Sequence, residues 1–485
     1  MKEENRFVSF FKAVGKELKS LVTDFTTGDW KTKLSYIVFG AGNFLRGQII
    51  RGLIYLACEV AFILYMFVLP FKNWEGTVTN GIGRYWISML PSLGLQGPGE
   101  VYDSFYDQYI YSYADNSFQI LLYGILSILL CVAFIVVWRL NIKDSYNNEK
   151  RIAAGKTLPN FGDNLHSLVD EKFYKTLLFL PVVGIFVFTV LPIFFMIMVA
   201  FTNYDGMHDG YNNALFSWVG WENFKTLFSM TGGKGSYLST FGGILGWTLI
   251  WAFFATFSCY ILGILVAMMI NRKGIKFKKL WRTILVLTIA IPQFISLLYV
   301  SKLFDKSGII NGILIKWGVL TTAYDFWGHP TSARILVILI NLWIGIPYLM
   351  LMATGILMNI PDDLYEAARI DGANPFQQFR YITMPYMLFI TAPYLLTSFT
   401  GNMNNFNVIY LLTGGGPTNS AASSASGSVG YTDLLVTWLF KITTGTETAY
   451  YLASVIGIII FIVVAVITLI VYSRLPSVKN EEGMQ

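Results

Sequence analysis

Residues 360–375 read Ile360-Pro361-Asp362-Asp363-Leu364-Tyr365-Glu366-Ala367-Ala368-Arg369-Ile370-Asp371-Gly372-Ala373-Asn374-Pro375. This polar stretch separates two long apolar runs, 335–360 and 384–412. Its local chemistry spells two short helices meeting at a turn. Pro361 suits a first helical position, and Asp362 and Asp363 complement the positive end of the helix dipole. Ala367 and Ala368 favour helix and leave a flat surface that a partner can approach closely. Gly372 can take the left-handed conformation that ends a helix. Asn374-Pro375 then supplies a cap and a first-turn proline for a second helix, expected to run to Met384-Pro385. A rigid elbow with an exposed carboxylate at Glu366, set between two membrane-length runs, suits a lever between membrane helices and a soluble motor.

Working outward, the same hydropathy recurs. A bilayer crossing takes about 20 predominantly apolar residues, and eight runs qualify: roughly 47–70, 118–140, 175–201, 245–270, 283–303, 335–360, 384–412 and 448–472. The seventh carries Pro393, Gly401, Asn402, Asn404 and Asn405, so a kink or break is expected there. Sidedness follows from Lys and Arg. With the N-terminus inside, segments 1–46, 141–174, 271–282, 361–383 and 473–485 carry 23 basic residues, against 8 in the loops 71–117, 202–244, 304–334 and 414–447. Arg272, Lys273, Lys276, Lys278, Lys279 and Arg282 form a cluster without an acid. Both termini are therefore expected in the cytoplasm. The first 46 residues read as a polar tail with no cleavable signal, so the first run is expected to stay in the membrane. A polar linker is expected over 141–174, and the Gly- and Ser-rich stretch 414–430 reads as a flexible outer loop.

Composition agrees. Of 485 residues, 54% are hydrophobic and only 13% charged, too few charges for a soluble chain of this length. The net charge of +6 follows the loops, which is a topology signal and no nucleic-acid footprint. Cys58, Cys131 and Cys259 fall inside apolar runs and cannot frame a disulfide scaffold or a zinc site. His166, His208 and His329 all lie in loops, so no metal site is expected. A phosphate-cradling loop needs Gly, four residues, then Gly-Lys-Ser/Thr. The nearest string, Gly155-Lys156-Thr157, has Lys150 where the first glycine belongs. No cofactor is expected in this chain, and any ATP and magnesium would be bound by a partner.

The elbow carries a resemblance. Glu366-Ala367-Ala368, three residues, Gly372, nine residues, then Ile382-Thr383-Met384-Pro385 resembles the EAA loop of binding-protein-dependent ABC importer permeases (MalFG type). Met384 stands where the family usually has Leu. The resemblance implies an all-α integral membrane protein with about eight transmembrane helices. It implies a type I (MetI-like) six-helix permease core over 175–472, an EAA coupling loop over 361–385, and a two-helix N-terminal extension over 47–140. Glu366, Ala367, Ala368 and Gly372 would then seat an ATPase. The implied assembly has a second permease subunit, two ATPase subunits inside and an extracellular sugar-binding protein, in a bacterial cell membrane.

Polar groups inside a bilayer are costly and mark pathways. In spans six and seven they are nearly all neutral: Asn341, Tyr348, Thr354, Thr397, Ser398, Thr400, Asn402, Asn404 and Asn405, beside Trp343, Phe399 and Phe406. Amides and hydroxyls beside rings suit a neutral polyol. Asn341 to Tyr348 and Ser398 to Phe406 resemble sugar-contacting stretches of the maltose/maltodextrin permeases of this family. Carried over, the contacts would be Asn341, Ile344, Gly345, Tyr348, Ser398, Asn402 and Asn405. Gly401 replaces an aromatic, and the loop 202–244 is too short for the large external domain some of these permeases carry. The same residues also suit helix–helix packing. Another oligosaccharide, of raffinose or galactoside type, stays open as substrate. A secondary transporter would call for charged pairs at membrane depth, and a membrane enzyme for a His, Cys or carboxylate constellation. Neither pattern is present. Glu59, mid-span in the first run, is expected to serve structure.

Overall fold

The computed structural model describes residues 6–73, 77–97, 99–112, 115–211, 213–228, 237–272, 274–420, 422, 428–445 and 448–473. Lys273, most of the Gly- and Ser-rich stretch after Ser420, and the tail beyond 473 lie outside the described residues. Among the described residues, seven helices are long and apolar enough to cross a membrane: Ile49–Val68, Ser117–Ala153, Phe173–Val199, Leu238–Asn271, Pro330–Leu357, Pro375–Thr413 and Tyr450–Tyr472. An eighth segment, fifth in chain order, is broken: Lys278–Ala290 and Gln293–Leu303 meet at 91°. The run expected over 283–303 is present, bent at Pro292. Its ring disfavours helical backbone at the residue before it, and Ile291 is extended at φ −83°, ψ 127°.

Two compact units divide the chain, Met1–Gly220 and Trp221–Gln485. In the first, the helix Ser117–Ala153 has 37 residues, about 55 Å at 1.5 Å per residue. The hydrocarbon layer is about 30 Å thick, so this helix must project well beyond it. The polar residues from Asn141 onward continue the helix because the N-terminal segment clamps onto them. Arg46 reaches Asp29 at 2.6 Å, Ser145 at 2.8 Å and Glu149 at 3.5 Å. Asn141 accepts from the Gly40 amide at 2.8 Å and donates to the Ser35 carbonyl at 2.8 Å. Gly40 has φ 75°, and a side chain there would meet the Gly52 backbone. Glu59 finds a structural partner, accepting from the Phe39 amide at 2.9 Å. The loop after the first span is not wholly irregular: it holds the antiparallel pairs Pro70–Lys72 with Val78–Asn80 and Gly99–Asp103 with Gln108–Ser112.

The second unit is built on the fourth and sixth spans. Gly263 lets them approach so closely that a Cβ there would sit 2.6 Å from the Cβ of Leu349. One apolar cluster gathers Trp251, Leu297, Val337, Val408 and Leu434; a second gathers Tyr260, Ile264, Leu349, Met350 and Met387. The Tyr260 and Thr391 hydroxyls, 2.7 Å apart, tie the fourth span to the seventh. The seventh breaks where its asparagines stand: Asn404 ends one helix, and Asn405 caps the next, Phe406–Thr413. Pro393 stays inside the helix.

Candidate translocation path and coupling elbow

The elbow takes the shape its sequence describes, with two adjustments. Its first helix is Asp362–Ile370, so Pro361 precedes the helix and Asp362 and Asp363 fill the first turn. Gly372 has φ 82°. Asn374 and Gln377 form a reciprocal capping box, both bonds 2.8 Å, which satisfies two amides that a helix start leaves free. The second adjustment concerns Pro385. The helix does not stop at Met384-Pro385; it passes through a widened turn, Phe379–Thr383, into Met384–Met403. A proline cannot donate to the turn before it, and a π-type turn absorbs that missing bond. Tyr365 and Thr383, 2.9 Å apart at their hydroxyls, brace the first helix against the base of the seventh span. Glu366 is exposed and Ala368 half-buried. Ile370 is 86% and Phe376 73% exposed, an apolar surface that calls for a partner.

Six of the seven candidate path residues divide into two groups. Asn341 is 8% exposed, and its amide lies 3.8 Å from the Cys259 sulfur. Gly345 faces the same thiol, where a Cβ would come within 2.8 Å. Asn402 donates to Thr256 Oγ1 at 2.9 Å, and its carbonyl accepts from Trp251 Nε1 at 3.0 Å. Asn405 donates to Asn402 Oδ1 at 3.3 Å while capping its helix. These four hold the fourth, sixth and seventh spans together. Ile344 and Tyr348 instead line a cavity of about 280 Å³ at the bend of the fifth segment, with Trp343, Thr288, Pro292, Gln293 and Ser296. The Tyr348 ring is 6.2 Å from that of Tyr394, one turn before the half-buried Ser398.

Gln293 and Ser296 escape a scan confined to spans six and seven. The signal for them was two polar residues, one and four places after Pro292, in an apolar run. On the seventh span, Thr397, Gly401 and Asn404 are exposed at intervals of four and three, one uncovered stripe. Their exposure exceeds that of Asn402 and Asn405.

A second cavity, about 390 Å³, lies where the fourth and sixth spans meet the loop around Tyr431. Arg334 sits inside the sixth helix, not in the loop before it. Its guanidinium lies 4.6 Å from the Trp247 ring centre and 5.7 Å from that of Tyr431, and Nε donates to the Tyr431 carbonyl at 2.8 Å. Beside it Asp433, fully buried, pairs with Lys441 at 2.7 Å and accepts from the Gly430 amide and the Thr437 hydroxyl. Burial pushes the Asp433 carboxyl above its ordinary value, and Lys441 opposes that rise.

The profile of the binding-protein-dependent transport system inner membrane component family matches residues 259–477. The chain is 34% identical over 460 residues to the maltodextrin transport system permease protein MalC of Streptococcus pneumoniae, covering 93% of this chain and 97% of MalC. The galactooligosaccharides transport system permease protein GanP of Bacillus subtilis is 33% identical over 448 residues, 92% of this chain and 97% of GanP. Among solved structures, a bacterial ABC transporter involved in the import of the acidic polysaccharide alginate superposes with a TM-score of 0.50. That match has 21% identity and covers 64% of this chain and 96% of the other, and it speaks for the fold alone. The chain belongs to the family of binding-protein-dependent transport system inner membrane components: it is a multi-pass permease subunit of an ABC importer, a transport component whose ATPase is a separate subunit.

Proposed function

We propose that this chain forms half of the path of an importer for neutral oligosaccharides, with maltodextrin as substrate. The observation that carries the reading is the cavity at the fifth-segment bend, where no lining residue is charged. Hydroxyls and an amide from Tyr348, Ser296, Thr288 and Gln293 stand beside the Trp343 ring. Amides and hydroxyls bond sugar hydroxyls, and rings stack on sugar faces. The printed substrate of MalC, 34% identical, points the same way. Ile344, Tyr348 and Ser398 contact sugar in this reading. Asn341, Gly345, Asn402 and Asn405 hold the helices that carry them.

The rest of the assembly follows. An ATPase subunit seats on Glu366, Ala367, Ala368 and Gly372, with Ile370 and Phe376 supplying apolar contact. A second permease completes the path, and an extracellular sugar-binding protein delivers the substrate. The elbow and both termini face the cytoplasm, in accord with the basic-residue count. A galactooligosaccharide is the second reading, favoured by the match to GanP.

The test is ATP-dependent uptake by the complete importer in vesicles, comparing maltotriose with a galactosyl oligosaccharide. Maltotriose uptake is expected. Uptake of the galactosyl sugar alone would favour the second reading, and uptake of neither would overturn the neutral-oligosaccharide assignment.

A further inference from the structure

Residues 6–27 hold a pattern that neither the elbow nor the path uses. Phe7, Phe11, Val14, Leu18, Val22 and Phe25 recur at intervals of three and four, which places them on one stripe of the helix Arg6–Thr27. Lys12, Lys16 and Lys19 keep the same spacing on a different face. Glu17 and Asp24, two turns apart, make a third edge.

That third edge is the one the rest of the unit holds. Arg139 Nε meets Glu17 at 3.1 Å, Arg139 Nη1 meets Asp24 at 2.9 Å, and the Tyr36 hydroxyl donates to the Leu21 carbonyl at 2.7 Å. Arg139 holds the Glu17 carboxyl below its ordinary value, chiefly by hydrogen bonding. The described part of the apolar stripe stays uncovered: Leu18 is 62%, Val22 61% and Phe25 47% exposed. Lys16 and Lys19 are exposed as well.

The position of Arg139 decides what covers that stripe. It stands one residue before the end of the apolar run 118–140 and directly after Trp138, whose indole donates to the Tyr36 carbonyl at 3.0 Å. A Trp-Arg pair at the end of an apolar run marks the level where hydrocarbon gives way to headgroups. The ion pairs therefore hold the helix at that level, continuous with the lipid-facing surface of the second span. An amphipathic helix with lysines on its polar face, held at that depth, fits an anionic lipid surface.

We propose that Arg6–Thr27 is an interfacial helix docked on anionic lipid. Leu18, Val22 and Phe25 enter the acyl boundary, and Lys16 and Lys19 face the phosphates. With the N-terminus inside, the surface is the cytoplasmic leaflet. The proposal stands apart from the substrate assignment and does not depend on it.

The test uses the full chain in its complex, with Cys58 and Cys131 replaced by Ala and the buried Cys259 left in place. A spin label goes on Val22→Cys or on Lys16→Cys. The vesicles are phosphatidylcholine with one third phosphatidylglycerol, or phosphatidylcholine alone. Collisions with oxygen report the membrane, and collisions with a nickel chelate report water. In the mixed vesicles, the label at 22 is expected to favour oxygen several-fold and the label at 16 to favour the chelate. The contrast should shrink in phosphatidylcholine alone. Chelate-favoured collisions at both sites would overturn the docking. A label at 22 shielded from both reagents would mean that protein covers the stripe, which also overturns it. An unchanged contrast without phosphatidylglycerol would overturn the anionic specificity.

Discussion

Asn341 and Tyr348 stand seven residues apart on the sixth span and share a helical face, yet their surroundings differ. Asn341 packs on Cys259 of the fourth span, while Tyr348 borders the cavity at Pro292. Tyr348→Ala is expected to lower uptake at subsaturating sugar about fivefold, the worth of about 1 kcal/mol for an aromatic contact. Tyr348→Phe, which keeps the ring and loses the hydroxyl, should restore only the share due to the ring, read from initial uptake rates against sugar concentration. Asp433 and Lys441 pose a different problem, a charge pair with one member fully buried. Lys441→Met leaves that carboxylate without its counter-charge and should cost about 3 kcal/mol of stability at neutral pH. The Asp433 carboxyl titrates above its ordinary value, so the folded state binds the proton more tightly than the unfolded. The deficit should therefore shrink as pH falls through the raised value, and grow as pH rises through it. Thermal unfolding of the purified variant across the acid range measures both, and Asp433→Asn with Lys441→Met should recover most of the loss.

Between elements, the close approach of the fourth and sixth spans depends on Gly263. Its hypothetical Cβ meets Leu349 side chain and backbone, 2.6 and 3.2 Å away, and neither can swing aside. Gly263→Val is expected to destabilise by about 1–3 kcal/mol through overpacking, seen as a lower unfolding temperature in detergent, whereas Gly263→Ala should cost less. The elbow illustrates the opposite logic. Its helix Asp362–Ile370 has no buried residue, so its own packing contributes little. The capping box, the Tyr365–Thr383 contact and the unbroken run into Met384–Met403 set its angle instead. A push on the elbow therefore reaches the seventh span without a hinge at Pro385.

For the whole molecule, the proposed seat of the separate ATPase on the elbow has its own test. Glu366→Ala is expected to leave the chain folded and inserted but to abolish sugar-stimulated ATP hydrolysis by the reconstituted importer. A variant that keeps full stimulation would remove the elbow from the coupling route. Sidedness has its own test. A cysteine at Ile275, beside the basic cluster, should react with an impermeant thiol reagent only from the cytoplasmic face of sealed vesicles. Reaction from the outside would invert the proposed topology, and with it the place of the elbow.

The membrane runs, the break in the seventh span and the left-handed Gly372 were legible in sequence because each depends on residues close along the chain. Hydropathy, cap residues and proline act within a few turns. The amphipathic helix Arg6–Thr27 was legible too, in its three-and-four spacing, but a segment rich in charge reads as a tail when only its polarity is weighed. Other features needed the tertiary structure. Glu59 was an unexplained acid until folding brought the Phe39 amide to it. The neutral polar residues of spans six and seven suit helix packing and a sugar path equally well, since both ask for amides and hydroxyls. Sequence alone determined that this chain is a multi-span permease with two short helices meeting at a turn between its sixth and seventh spans. Only the packing of distant helices decided that Asn341 and Asn402 hold the spans together while Tyr348 and Gln293 face the open cavity, because a side chain's partner across a helix interface is fixed by residues far away in sequence.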